Sequence, residues 1–181
     1  MEVDEPMSTP VTAVRSWFRQ QGAAYRDGAE DRPLAGYLTL MSLYGAGTLG
    51  AGVLAKRLGR RAPEKVSPWD VALLSLATHR LARTIAKDPV TSPLRSPFTS
   101  YAGLSAPGEL KEEVRGHGLR HSAGELISCP MCLGQWVATA FALGLVLAPK
   151  LTRLTMTTFA GVAGADFLQH AYVYLQQATS E

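Results

Sequence analysis

Pro130 to Pro149 reads PMCLGQWVATAFALGLVLAP, twenty residues without a formal charge. A helix needs about 20 apolar residues to cross the ~30 Å hydrocarbon core of a bilayer, so this run is of spanning length. Pro130 suits the first turn of such a helix, and Trp136 falls near the expected interface. Gly134, Ala138 and Ala142 recur every fourth residue, a smooth strip for a neighbouring helix. A second uncharged run, PLAGYLTLMSLYGAGTLGAGVLA, extends from Pro33 to Ala55 between Arg32 and Lys56. Its glycines would weaken a helix in water. In lipid, the small pairs Ala46/Gly50 and Gly47/Ala51 let helix backbones approach. The two runs together predict an all-α, polytopic helical membrane protein, a bundle of three to four transmembrane helices.

Two further segments complete that bundle. SPWDVALLSLATHRLARTIAKD opens with Ser67 and Asp70 at capping-box spacing and Pro68 at the first helical position. A helix over about 69–86 follows, with Leu74, Ala77, Leu81 and Ile85 on one face. His79, Arg80 and Arg83 are too polar to face lipid, so this helix spans inside the bundle or lies at the interface with its cations snorkelling. The fourth helix covers about 154–175. Its Gly161 and Ala165 form a small-residue face, and Asp166, His170 and Tyr174 fall on one side at i, i+4, i+8.

The rest is polar connection. Residues 1–32 form an acidic-starting N-terminal segment without the basic region and apolar core of a secretory signal. Within it, Val11–Tyr25 has Val14, Trp17 and Phe18 near one face and reads as an amphipathic helix on the membrane surface. Residues 88–128 are the long connector between helices, with a short acidic helix expected over Ser105–Arg115. Residues 176–181 are a tail.

The net charge of +3 is spread over several segments. No dense basic stripe with aromatic stacking partners is visible, which argues against a nucleic-acid partner. If all four segments span, the side holding 1–32, the connector and the C-terminus carries nine Lys/Arg against seven opposite. If 69–86 does not span, 56–129 carries twelve against six. Both counts place Cys129 and the connector in the cytoplasm of a cell-membrane protein. The side of the N-terminus differs between them.

Two constellations could carry chemistry. Cys129-Pro130-Met131-Cys132 holds the chain's only cysteines at a helix start, where the macrodipole favours thiolate. A thiol-redox role is one reading, although a thioredoxin-like site needs a βαβ context that is missing. Half a zinc site is another, with His117 and His121 as further ligands, although H-x3-H-x7-C-x2-C is no familiar zinc pattern. Plain packing of small apolar side chains is the third. The second constellation is Arg80, Arg83 and Asp166. An acid at mid-membrane costs about 2.5–3.5 kcal/mol on insertion scales, so Asp166 should face the bundle and pair with one of the arginines. Such a pair pins two helices, or serves an ion path in a small transporter. Asp88, beside Pro89, reads as a helix terminator. No G-x-S-x-G, phosphate loop or H-E-x-x-H is present.

A wider pattern joins these residues. Arg80-Leu81-x-Arg83, a following Asp88, Leu94-Arg95-x-Pro97, and Glu125-Leu126-x-x-Cys129-x-x-Cys132-x-Gly134-x-Trp136 resemble the bacterial membrane-protein family known as domain of unknown function 1360. The resemblance covers roughly residues 67–175, leaving the first apolar run outside. It implies a small multi-pass protein, with some relatives labelled for sporulation, and no established activity. The expectation is therefore an integral membrane protein that acts as a non-enzymatic scaffold or interaction protein, with no cofactor. Its partners are the lipid bilayer and another protein or a second copy met through small-residue helix faces. The alternatives are a thiol-redox or zinc-binding membrane protein using Cys129 and Cys132, and a transporter using Asp166.

Overall fold

The computed structural model describes residues 10–25 and 32–179. Helix α1 covers Pro10–Tyr25 with Val11, Val14 and Trp17 exposed; the side chain of Phe18 lies outside the described residues. Four long helices follow in the chain: α2 (Leu34–Arg57), α3 (Pro68–Lys87), α6 (Pro130–Leu147) and α7 (Pro149–Thr179). Between α3 and α6 stand a 3-10 turn at Pro89–Thr91, a short α4 (Ser92–Arg95), two strands and α5 (Leu119–Ser128). This intervening unit is called the cap below.

Local chemistry sets the helix ends. The Ser67 hydroxyl accepts the Trp69 N–H at 3.2 Å and starts α3, with Pro68 in the first turn. Asp70 turns away from this start and takes both ends of the Arg153 guanidinium, at 3.1 and 3.0 Å. Only Ala148 separates α6 from α7, so the two helices return antiparallel. Asp70–Arg153 near their starts and Arg80–Asp166 further along fix α3 parallel to α7.

The core lies among α3, α6 and α7. Ala77, Ala82, Val137, Phe141 and Met156 are buried together, flanked by Leu74, Leu81, Ile85 and Phe159. Alanine dominates because these helices approach closely. Gly144 sits so near α7 that a Cβ there would meet the Thr152 hydroxyl at 2.6 Å. Helix α2 stands outside this core, against α5 and α6. Among the described residues, it and α6 are the two helices long and apolar enough to cross a membrane.

The expectation of an all-α chain is corrected in the cap. Strands β1 (Thr99–Ala106) and β2 (Glu109–Val114) pair antiparallel, from Thr99↔Val114 to Ala106↔Glu109. The acidic helix expected over Ser105–Arg115 is absent, because Pro107-Gly108 forms the turn between the strands. Pro107 supplies the fixed φ, and Gly108 the positive φ of 78°, that such a turn requires. Alternation then sends Glu112 and Val114 inward while Lys111 and Glu113 stay exposed.

Glu112 meets Arg95 inside the cap, and Arg95 in turn ties the cap to the end of α3. Arg95 is fully buried and Glu112 nearly so, at 0% and 7% side-chain exposure. Arg95 donates from Nε to Glu112 Oε2 at 2.6 Å and from Nη2 to Oε1 at 3.2 Å. Its other donors reach the Ile85 carbonyl and the Thr91 hydroxyl, both at 2.6 Å, and the Asp88 carbonyl at 3.1 Å. All five guanidinium N–H groups are thus used. The Arg95→Ala substitution leaves a buried carboxylate and open carbonyls at the end of α3, and should cost about 3–5 kcal/mol. Thermal unfolding should register it as a large loss, much of it recovered when Glu112 is also made apolar. An unchanged melting temperature for R95A would show that the pair does not hold the cap.

Candidate functional site

The cap meets the bundle at two clefts. The first, about 800 Å³, opens between α2, α5 and α6. Leu40, Met41, Tyr44 and Trp136 line it with apolar surface, and Arg32, Tyr37 and Glu125 supply its polar groups. Close approach makes the junction: a Cβ on Gly36 would lie 2.3 Å from the Ser122 hydroxyl and 3.0 Å from the Gly118 carbonyl. Only glycine lets α2 seat this near α5. The Tyr37 hydroxyl then donates to Glu125, Arg32 Nη1 donates to the same carboxylate at 2.8 Å, and His121 Nε2 lies 3.5 Å from it. Further along α2, the Tyr44 hydroxyl is 2.7 Å from that of Thr139 and accepts from Gln135 at 3.0 Å, while its ring meets Trp136 edge to face. These contacts run α2 and α6 in the same direction, both away from α5.

Cys129 and Cys132 stand on the wall of this cleft as free thiols. Cys129 is the hinge residue that ends α5 and caps α6. Its Sγ accepts the Cys132 N–H at 3.3 Å, satisfying one of the open donors at the helix start. His117 and His121 do not complete a metal set with them. His121 faces Glu125, His117 is exposed before α5, and among the described residues no three His, Cys, Asp or Glu side chains group around a common point suited to an ion.

The second cleft, about 1030 Å³, lies between α3, α7 and the hairpin turn. Arg80 bridges two acids, with Nη2 3.3 Å from Asp88 and Nε 3.3 Å from Asp166. Of the two arginines named with Asp166 in the sequence, Arg80 is the one that reaches it; Arg83 pairs with Glu109 at the base of the turn. Asp88 is also the C-cap of α3, its N–H bonded to the Thr84 carbonyl. The His170 Nδ1 lies 2.8 Å from the Asp166 carbonyl.

Depth along the bundle revises one expectation. Gly134 of α6 stands opposite Thr78, where a Cβ would lie 3.9 Å from the threonine methyl. Arg80 is two residues further along α3, about 3 Å by helical rise, which brings it level with the first turn of α6. Asp166 therefore sits near the cap end of the apolar helices and not midway along them.

Arg80, Asp88 and Arg95 gather around the C-terminus of α3. Glu125, Cys129, Cys132 and Trp136 gather at the first cleft. Gly134 faces the other way, toward α3. The sequence reading passed over Tyr37, Tyr44, Glu109, Glu112 and the Asp70–Arg153 pair. Tyr37 and Tyr44, seven residues apart on one helix face, carried a signal: two hydroxyls in an otherwise apolar run.

Residues 73–172 match the family described as a protein of unknown function, DUF1360. The chain belongs to this family. The DUF1360 segment contains α6, the cap, most of α3 and α7, and every residue of the central core, whereas α2 lies outside it. Sporulation protein YjcA of Bacillus subtilis (strain 168) is 35% identical over 99 residues, which cover 52% of this chain and 84% of that protein. No solved structure matches.

The glycines of α2 separate seating from openness. Gly36→Ala should destabilise by about 1–3 kcal/mol through overpacking against Ser122. Gly50→Ala, with nothing within 4 Å of the added methyl, should leave the melting temperature unchanged or raised. Equal effects of the two substitutions would mean that α2 is not seated on α5 through Gly36.

Proposed function

We propose that this chain is a multi-pass membrane protein in which α2, α3, α6 and α7 cross the bilayer and the cap is a non-enzymatic docking platform. The observation that carries the reading is the uncovered apolar surface of α2 and α7. Met41 and Leu49 are 70% and 73% exposed on the uncharged run of α2, and Leu151, Leu154 and Leu168 stand open on α7. Fully burying one such side chain stabilises by about 1.5–3 kcal/mol, so a folded chain in water would forgo a large driving force. Lipid supplies the missing apolar contact.

The charges of α3 and α7 fit that solvent because they pair. Asp70–Arg153 and Arg80–Asp166 fence a stretch of nine residues on α3, Val71–His79, with Asp70 and Arg80 about 15 Å apart by helical rise. Each pair balances its own charge, and the long arginine stems let the guanidinium groups reach toward the headgroups. The same pairing weighs against transport through Asp166, whose carboxylate is engaged by Arg80. On this arrangement the N-terminal segment, cap and C-terminus share one side, and the Lys/Arg count makes that side cytoplasmic. The name of the Bacillus subtilis relative concerns sporulation, and a membrane platform in such a process is the role we extend to this chain.

A second reading, thiol exchange, is favoured by the free Cys129–Cys132 pair on an open cleft. One experiment addresses both. Membranes carrying the full chain are washed with alkaline carbonate, and sealed vesicles of known orientation are treated with a membrane-impermeant maleimide. The chain should stay in the pellet and its cysteines should label only from the cytoplasmic side. Release into the wash would sink the membrane reading. Labelling no faster than an ordinary exposed cysteine would end the thiol reading.

A further inference from the structure

We propose that the end of the bundle opposite the cap is a binding surface for anionic phospholipid headgroups, a proposal that rests on the membrane reading above. Where α2 ends, the chain runs through Lys56, Arg57, Arg60, Arg61 and Lys65 before α3 begins. All five are exposed, and among the described residues none has an ion-pair or hydrogen-bond partner for its side chain. Glu64 is the only acid between Lys56 and Ser67. Asp70, the next one, is already held by Arg153. At the cap end of the molecule Arg32, Arg80, Arg83 and Arg95 are each engaged by a carboxylate, and Arg115 and Arg120 by backbone carbonyls. Among the described residues the loop is thus the densest run of unpartnered positive charge.

Its neighbours say what kind of anion it meets. Leu58, Val66 and Trp69 interleave with the basic residues and are 60%, 63% and 71% exposed. Exposed apolar side chains among cations suit a headgroup–acyl boundary, where stems and rings enter the lipid and the charges remain among phosphates. A free phosphate or a nucleic-acid backbone offers the charge without the apolar layer. The basic residues directly follow the uncharged run of α2, which ends at Ala55, so they stand at headgroup height in the leaflet opposite the cap.

Trp69 is a built-in reporter of this surface. The W17F/W136F variant, with Trp69 as its only tryptophan, is reconstituted in vesicles of phosphatidylcholine and phosphatidylglycerol, with one or the other lipid brominated on its chains. Quenching of Trp69 should give a relative affinity for phosphatidylglycerol at least about fivefold above phosphatidylcholine, the weight of a single basic residue at an anionic surface. The preference should vanish at high salt and in the added K56Q/R57Q/R60Q/R61Q/K65Q variant. Equal quenching by both lipids would overturn the headgroup site and leave the membrane reading standing. No quenching by either would overturn both. Because Trp136 packs on Tyr44, the wild-type chain is also titrated with each lipid in neutral detergent and examined by native mass spectrometry. Preferential retention of phosphatidylglycerol supports the site; equal retention overturns it.

Discussion

The guanidinium of Arg95 has five N–H groups and no water to give them to. Burying such a charge is tolerable only when a counter-charge and enough acceptors are brought to it. Three parts of the chain meet that demand: the last turn of α3 and the residue capping it through their carbonyls, Thr91 through its hydroxyl, and β2 through Glu112. The hairpin therefore has to lie across the end of α3. That position puts Val114 and Phe98 against Gly124 of α5, where a Cβ would lie 2.7 Å from the valine methyl. Helix α5 in turn aims Cys129 and the start of α6. The geometry of the cap follows from satisfying one buried cation.

The DUF1360 segment and the helix added before it make different contributions. The segment holds the core, the buried ion pair and the Arg80 bridge, so its architecture is complete without α2. Helix α2 joins through one glycine, two tyrosine hydroxyls and an arginine, and by doing so closes one wall of the cysteine-lined cleft. Its own glycines at 45, 47, 50 and 52 meet nothing within 4 Å. The small pairs Ala46/Gly50 and Gly47/Ala51, expected to seat helices of this chain together, do not do so among the described residues. In the long helices the glycines in closest approach are Gly36 and Gly144, each near a helix end.

The long helices were legible because an uncharged run of twenty residues and a Ser-Pro start depend on local chemistry alone. The fourth helix ran longer than 154–175 because nothing from Pro149 onward breaks it and no glycine-proline stop follows. The cap was harder. Its hairpin announces itself in Pro107-Gly108, but the acidic run Glu109–Glu113 carries equal weight as a helix surface until a partner for Glu112 is known. That partner, Arg95, is separated from it in sequence, and no periodicity links them. Asp166 paired with Arg80 as charge balance requires. Its depth depended on how α3 and α6 align, a property of packing and not of any one segment.

Two of the acids on β2, Glu109 and Glu112, are fastened to cations at the C-terminal end of α3 and just beyond it. Riveted at two points, the hairpin cannot swing or slide alone; it and the helix form one stiff lever. The far tip of that lever is Asp70, clasped to Arg153 where α7 begins. A load applied to the hairpin would accordingly be delivered to the opposite end of the bundle, beside the basic loop, as displacement of a whole helix.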